Sequence, residues 1–194
     1  NMSETFNLGD IPDLSTILGD SEGASSTPFE DGWYEGVILE ARRFTDANGN
    51  DKVFESNDSV SAKGDSRNIR LQVQITRVSD SRVLNTSTLV NYNQNDFTPE
   101  TLQAVAKRIE ESKANGTGGQ MGDLFRSFMT ITRLAKLQKI AGVRQFQRNS
   151  DGSLNLTPLY GRKAFFRLQP DSRNPQYKEV ADFRFDAPKR GKVL

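Results

Sequence analysis

Apolar and polar residues alternate along residues 67–78. Ile69, Leu71, Val73 and Ile75 fall on one side, and Asn68, Arg70, Gln72, Gln74 and Thr76 on the other. A period of two predicts a half-buried strand. Ser79-Asp80-Ser81 makes a tight connection to a further strand over residues 82–92, so these two are predicted to form a hairpin. Upstream, residues 32–44 are rich in aromatic and branched side chains and predict a long first strand, with Gly36 suited to a sharp bend inside it. Trp33 and Tyr34 take opposite faces of that strand, Tyr34 expected inside and Trp33 available outside. The 22 residues between the first two strands, 45–66, hold Asn48-Gly49-Asn50 and a second cluster of Gly, Asp and Ser, and read as a long loop. Loops of that length are usually functional or disordered.

The period then changes to helical. Thr98 is a predicted N-cap with Pro99 at the first helical position, and Leu102, Val105, Ala106 and Ile109 follow at helical spacing. Residues 115–119, Asn-Gly-Thr-Gly-Gly, break this helix. A second is predicted over about 123–141, with Leu124, Phe128, Ile131, Leu134, Ala135 and Ile140 near one side and Gly142 as its terminator. Strands return at 159–169 and 177–185, joined by the turn-rich residues 170–175. Three strands, a helical insert of about residues 98–142 and a closing pair form the succession of a five-stranded Greek-key OB-fold barrel with its helices between strands 3 and 4. A mainly β domain over residues 29–187 is therefore expected. The competing architecture is a generic α+β sheet.

Composition narrows the chemistry. The chain has neither Cys nor His, which removes disulfides, thiol nucleophiles, His-based triads and Cys/His metal sites. Leu, Ile, Val and Phe make up about 24% of the 194 residues, enough for a modest core. No apolar run reaches the roughly 18 residues of a membrane span, and no leader pattern opens the chain. A cytoplasmic, soluble protein with no membrane contact is the expectation. The carboxylates are scattered and show no D-x-D pair, and Gly116-Thr117-Gly118-Gly119 lacks the Lys-Ser/Thr of a phosphate loop. No catalytic residue, metal ligand or cofactor is assigned, and a carboxylate-bound Mg²⁺ nuclease is the enzymatic alternative.

The net charge of +1 conceals a strong polarity. Residues 1–41 carry nine acids and no Lys or Arg, so the remainder is +10. Residues 1–28 read as an acidic, partly disordered appendage that mixes its acids with Leu8, Ile11, Leu14, Ile17 and Leu18, and residues 188–194 as a basic tail. Such asymmetry points to contact with nucleic acid or membrane, or to an acidic tail that only solubilises an ordinary domain.

Binding a single strand irrespective of sequence needs cations along the phosphates and rings under the bases. On the fourth predicted strand, Ala164, Phe166 and Leu168 share one face, and Lys163, Phe165 and Arg167 form a cation–ring–cation ladder on the other. Phe165 could equally pack beneath the insert. Arg70 and Gln72 lie on the polar face of the second strand, Arg42 and Arg43 end the first, and Lys52 and Phe54 sit in the long loop. With Trp33, these are the candidate nucleic-acid-binding residues. The acids Asp46, Asp51, Glu55 and Asp58 of the same loop argue against a pure phosphate clamp. The basic residues of the insert read first as a solvated helix face.

Residues 32–41, Ile69–Ile75, 161–168 and 177–185 together resemble bacteriophage single-stranded DNA-binding proteins, over roughly residues 29–187. The resemblance implies a non-catalytic protein that coats and protects single-stranded DNA during phage replication or recombination, in the host cytoplasm. Many such proteins recruit partners through an acidic C-terminal tail, whereas here the acidic segment is N-terminal. That segment is expected either to lie across the basic groove or to dock a replication or recombination protein. Homo-oligomerisation stays open. The alternative function is a virion structural or assembly protein whose surfaces make protein–protein contacts.

Overall fold

The alternating segments meet in one antiparallel sheet. A computed structural model describes residues 28–116 and 120–194, so the acidic appendage up to residue 27 and residues 117–119 of the glycine-rich break lie outside the described residues. The strands are β1 (Gly32–Leu39), β2 (Ala41–Thr45), β3 (Asp51–Glu55), β4 (Asn57–Val60), β5 (Arg67–Thr76), β6 (Val83–Tyr92), β7 (Lys163–Pro170) and β8 (Lys178–Arg184). Helices α1 (Pro99–Ala114) and α2 (Phe125–Ala141) lie between β6 and β7. The fold is mainly β with two helices inserted where the pattern predicts them.

The sheet runs β6–β5–β1–β7–β8. The outer strands β6 and β8 approach within 8 Å, and α2 packs against both. No hydrogen-bonded ladder joins them among the described residues, so a closed barrel is not found.

The predicted long loop turns out to be mostly strand. β1 pairs with Gln72–Thr76 of β5, and β4 pairs with Arg67–Arg70 on the same edge. Between them the chain leaves the sheet as the β2–β3 hairpin. The junction is Ser56. Its Oγ accepts from the Gln72 N–H at 2.8 Å and donates to the Leu39 carbonyl at 2.6 Å, while its own N–H reaches the Glu40 carbonyl at 2.8 Å. One buried hydroxyl thus satisfies the backbone where the edge of β5 passes from β1 to β4. The hairpin tip is an Asx turn, with Asp46 Oδ1 accepting from the N–H groups of Asn48 and Asn50 at 2.9 Å each. Gly49 supplies the left-handed residue at φ 81°.

The strand break therefore falls at Glu40, and Gly36 has a different purpose. A Cβ there would meet the Phe166 ring at 2.9 Å and the Gln74 carbonyl at 3.0 Å, so the glycine makes room for a core ring. Ile69, Leu71, Val73 and Ile75 are buried as the alternation predicts, together with Tyr34, Ile38, Ala164, Phe166 and Leu168. The connection after β5 is held by Arg77, whose guanidinium donates to Asp80 at 2.6 and 2.9 Å. That ion pair holds the Asp80 carboxyl low, at about 2.

In α1, Thr98 Oγ1 accepts from the Thr101 N–H at 3.2 Å, the expected cap. Only Val105 and Ser112 of this helix are buried, while Leu102 is exposed. The buried stripe of α2 is Thr130, Leu134, Leu137, Ile140 and Ala141. Phe128, Ile131 and Ala135 lie off that stripe and line a shallow groove against Val105 and Ile109. Gly142 ends the helix in the left-handed region, at φ 69°. No helix among the described residues is long and apolar enough to cross a membrane.

Candidate nucleic-acid interface

Paired positions in an antiparallel sheet point their side chains to the same side. The strand registers therefore assemble the face opposite the core into rows. Trp33 lies beside Arg167. The next row runs Arg184, Phe165, Glu35, Thr76, and the one after it Lys163, Val37, Gln74, Asn85. Leu39, Gln72 and Ser87 follow, then Asn57, Arg70 and Leu89.

The hairpin arm adds a second surface. Arg42 pairs with Phe54 and Phe44 with Lys52, so these four share one face, whereas Arg43 and Val53 share the other. The two rings lie 5.2 Å apart, and the Arg42 guanidinium carbon sits 5.2 Å from one centroid and 5.1 Å from the other. Cations over ring faces are attracted by the ring quadrupole. Arg42 Nη1 donates to the Asn85 carbonyl at 3.4 Å. Because β1 and β6 flank β5, this side chain crosses over β5 to reach β6. The basic aromatic face of the arm is in this way joined to the outward face of β5 and β6. Phe44 stays 38% and Phe54 46% exposed, so the pair forms a small aromatic patch at the surface of the arm.

Among the described residues, two guanidinium donors find no acceptor. Arg42 Nε and Arg184 Nε are buried without a hydrogen-bond partner, the first beside Phe44 and Phe54 and the second in register with Phe165. Buried donors left unpaired are costly, and a bound acceptor would relieve them.

The structure redraws the candidate list. Arg42, Lys52 and Phe54 come together on the arm, and Arg70 projects, exposed, from the last row. Lys163, Phe165 and Arg167 are on the outward face as predicted, but Lys163 Nζ lies 3.7 Å from Glu35 Oε1, and Phe165 is half-buried. Gln72 is corrected. It is only 3% exposed, because the arm rises from the edge of β5 beside it, so it lines no open groove. Arg43 is exposed on the opposite face of the arm, beside Val53, and so is not brought together with Arg42, Lys52 and Phe54. Trp33 is half-buried rather than free. The end of the basic tail comes back to its backbone, where Val193 forms a parallel bridge and the Leu194 N–H donates to the Trp33 carbonyl at 2.8 Å.

Asp58, counted among the acids of the loop, faces inward instead. It accepts from Arg67 Nε at 3.0 Å, from the Tyr92 hydroxyl at 2.6 Å and from the Leu154 N–H at 2.8 Å. Burial, and then this bond to a carboxylate, push the Tyr92 phenol up to about 12. Two cations of the basic insert are engaged, Lys136 on Asp182 at 2.9 Å and Lys139 on Asp186 at 2.7 Å. Sequence reasoning missed Phe44, Asn85 and Arg184. Phe44 was within reach, because Asn48-Gly49 is a hairpin signal, and a hairpin there places residues 42 and 44 opposite 54 and 52.

Among the described residues no cluster of three or more His, Cys, Asp or Glu could hold a metal ion. No protein-family model matches the chain, and no curated protein matches it.

Proposed function

We propose that this chain is a non-catalytic single-stranded DNA-binding protein whose sheet is an open variant of the OB-type barrel. The strand order supports that architecture: the first strand lies between the second and the fourth, and the third and fifth approach each other across the gap. The groove runs between the arm and the outward face of β5 and β6. Phe44 and Phe54 stack on bases, while Arg42, Lys52 and Arg70 meet phosphates. Stacking contributes about 1–3 kcal/mol per base and tolerates any base. By the resemblance in its sequence, the protein serves phage replication or recombination, with the acidic N-terminal segment as a contact for partner proteins.

The observation that carries this reading is the four-residue face Arg42, Phe44, Lys52, Phe54, with its exposed rings and an unpaired buried donor. Two rings held 5.2 Å apart beside a guanidinium brace the hairpin across its strands and at the same time present aromatic surface to a base. The double substitution Phe44→Ala/Phe54→Ala tests it. Affinity for oligo-dT should fall by tenfold or more, the equivalent of about 1.4 kcal/mol, with the thermal midpoint nearly unchanged. Wild-type affinity in the folded variant would reject the groove.

A further inference from the structure

An exposed ring beside an arginine that lacks an acceptor occurs a second time, away from the arm. Where α2 passes the edge of the sheet, a notch of about 340 Å³ is lined by Lys136, Lys139, Asp182, Arg184, Phe185 and Asp186. The registers fix its orientation. Asp182 pairs with Arg167 and Arg184 with Phe165, so both stand on the outward face, while Phe183 between them is buried in the core. Lys136 and Lys139 are each paired with one of the carboxylates, at 2.9 and 2.7 Å, and Arg184 has no acidic partner among the described residues. Its Nε is buried with no acceptor. The Asp186 carboxyl is held below its usual range by the bond to Lys139, helped by the charges of Arg184 and of Lys189 in the tail. With Lys189, four cations face two acids, so the surplus charge is positive. Phe185 stays 44% exposed, and Lys139 Nζ lies 5.6 Å from its ring centroid.

The donor and the ring together select the ligand. A guanidinium without an acceptor is matched by an anion whose oxygens lie side by side, as those of a phosphate do. A free phosphate ion would leave the ring uncovered, whereas a nucleotide within a strand brings a base to it. The sheet supplies the route. Arg42 reaches the Asn85 carbonyl on β6, and Arg184 stands on β8, four strand-to-strand steps away over the outward face. At the usual strand spacing those steps cover about 19 Å, the span of about six phosphates of a stacked strand. We infer that this notch is a second contact for the bound DNA strand, with Arg184 on a backbone phosphate and Phe185 against a base. The inference rests on the single-stranded DNA reading and extends the strand's path beyond the arm.

The test compares the full-length wild type, Arg184→Ala and Phe44→Ala/Phe54→Ala in binding a labelled oligo-dT of about twelve nucleotides, inside the range of roughly 4–16 for one OB-fold. Arg184→Ala should weaken binding about fivefold, lower the slope of log affinity against log salt by about 0.7, and leave the thermal midpoint nearly unchanged. Lys113→Ala, which removes an exposed cation at the far end of α1, should change affinity little. With 4-thiothymidine in the strand, ultraviolet crosslinking should label the peptide that carries Phe185. Inorganic phosphate at constant ionic strength should leave the difference between wild type and Arg184→Ala intact. The inference fails if Arg184→Ala binds as the wild type does, if Lys113→Ala loses as much, or if no crosslink reaches that peptide. It fails too if phosphate abolishes the difference, which would mark a site for the free ion. Loss of binding in the ring variant beside an unaffected Arg184→Ala would reject the notch and spare the groove, and a wild type that binds no oligo-dT would reject both.

Discussion

At the scale of single residues, the positions that matter most are those where a side chain has no reason to be what it is except a neighbour. Gly36 is one. Its φ is ordinary, and what forbids a methyl group is the Phe166 ring at 2.9 Å and the rigid Gln74 carbonyl at 3.0 Å. Gly36→Ala should cost about 1–3 kcal/mol, the usual penalty for overpacking, and urea unfolding would measure it. Tyr92 is another. Its phenol titrates near 10 when unfolded and at about 12 when folded, because burial and the bond to Asp58 disfavour phenolate. A raised folded value means that stability is fully present below pH 10 and is lost as pH climbs towards 12. The difference in unfolding free energy between the wild type and Tyr92→Phe should therefore be constant up to about pH 10 and shift against the wild type above it. A pH-independent difference would contradict the assignment.

At the scale of elements, the arm is separable from the sheet. Its root is closed by Ser56 bridging Leu39 and Gln72, and those bonds do not involve the β2–β3 ladder. Replacing residues 43–53 with a two-residue Asn-Gly turn should keep the circular dichroism of the sheet and abolish oligo-dT binding; an unfolded product would show that the arm is structural. On α1, Thr98→Ala removes the cap on the Thr101 N–H and should cost about 1 kcal/mol in thermal or urea unfolding.

The same elements show how much could be read in advance. Strands β5 and β7 were legible because each buries its alternate apolar residues, β5 departing from alternation at Gln72, while α1 announced itself by its Thr98 cap and α2 by its Gly142 terminator. The arm was not legible. Both of its faces are exposed, so no apolar alternation marks β2 or β3, and only the turn at Asn48-Gly49 hints at pairing. Of the candidate site, Arg42, Lys52 and Phe54 were named from composition. Their convergence, and the displacement of Arg43 and Gln72, follow from a register that depends on a hairpin read as a loop. Phe128 and Ile131 went astray for a related reason: α2 is flanked by apolar side chains on more than one side, so helical period alone does not choose its buried stripe.

At the scale of the whole molecule, the charge distribution and the geometry point the same way. Residues from 42 onward carry a net +10, and two of the helical cations, Lys136 and Lys139, are paired with Asp182 of β8 and Asp186 just after it. Arg42 and Lys52 on the arm and Arg70 on the neighbouring sheet face are cations placed to meet a bound strand. Lys52 is only loosely associated with Asp46, at 4.0 Å, a surface distance worth little. A strand bound there should release counterions in proportion to these contacts. The most direct measurement is the salt dependence of oligo-dT affinity for the wild type and for Arg42→Ala/Lys52→Ala, followed by the fluorescence of the single tryptophan, Trp33, or by anisotropy of a labelled strand. The account predicts affinity that falls linearly with the logarithm of salt, much weaker binding to duplex DNA, and a slope reduced by about 0.7 for each cation removed. No binding of oligo-dT at low salt, or a slope identical in the two proteins, would contradict it.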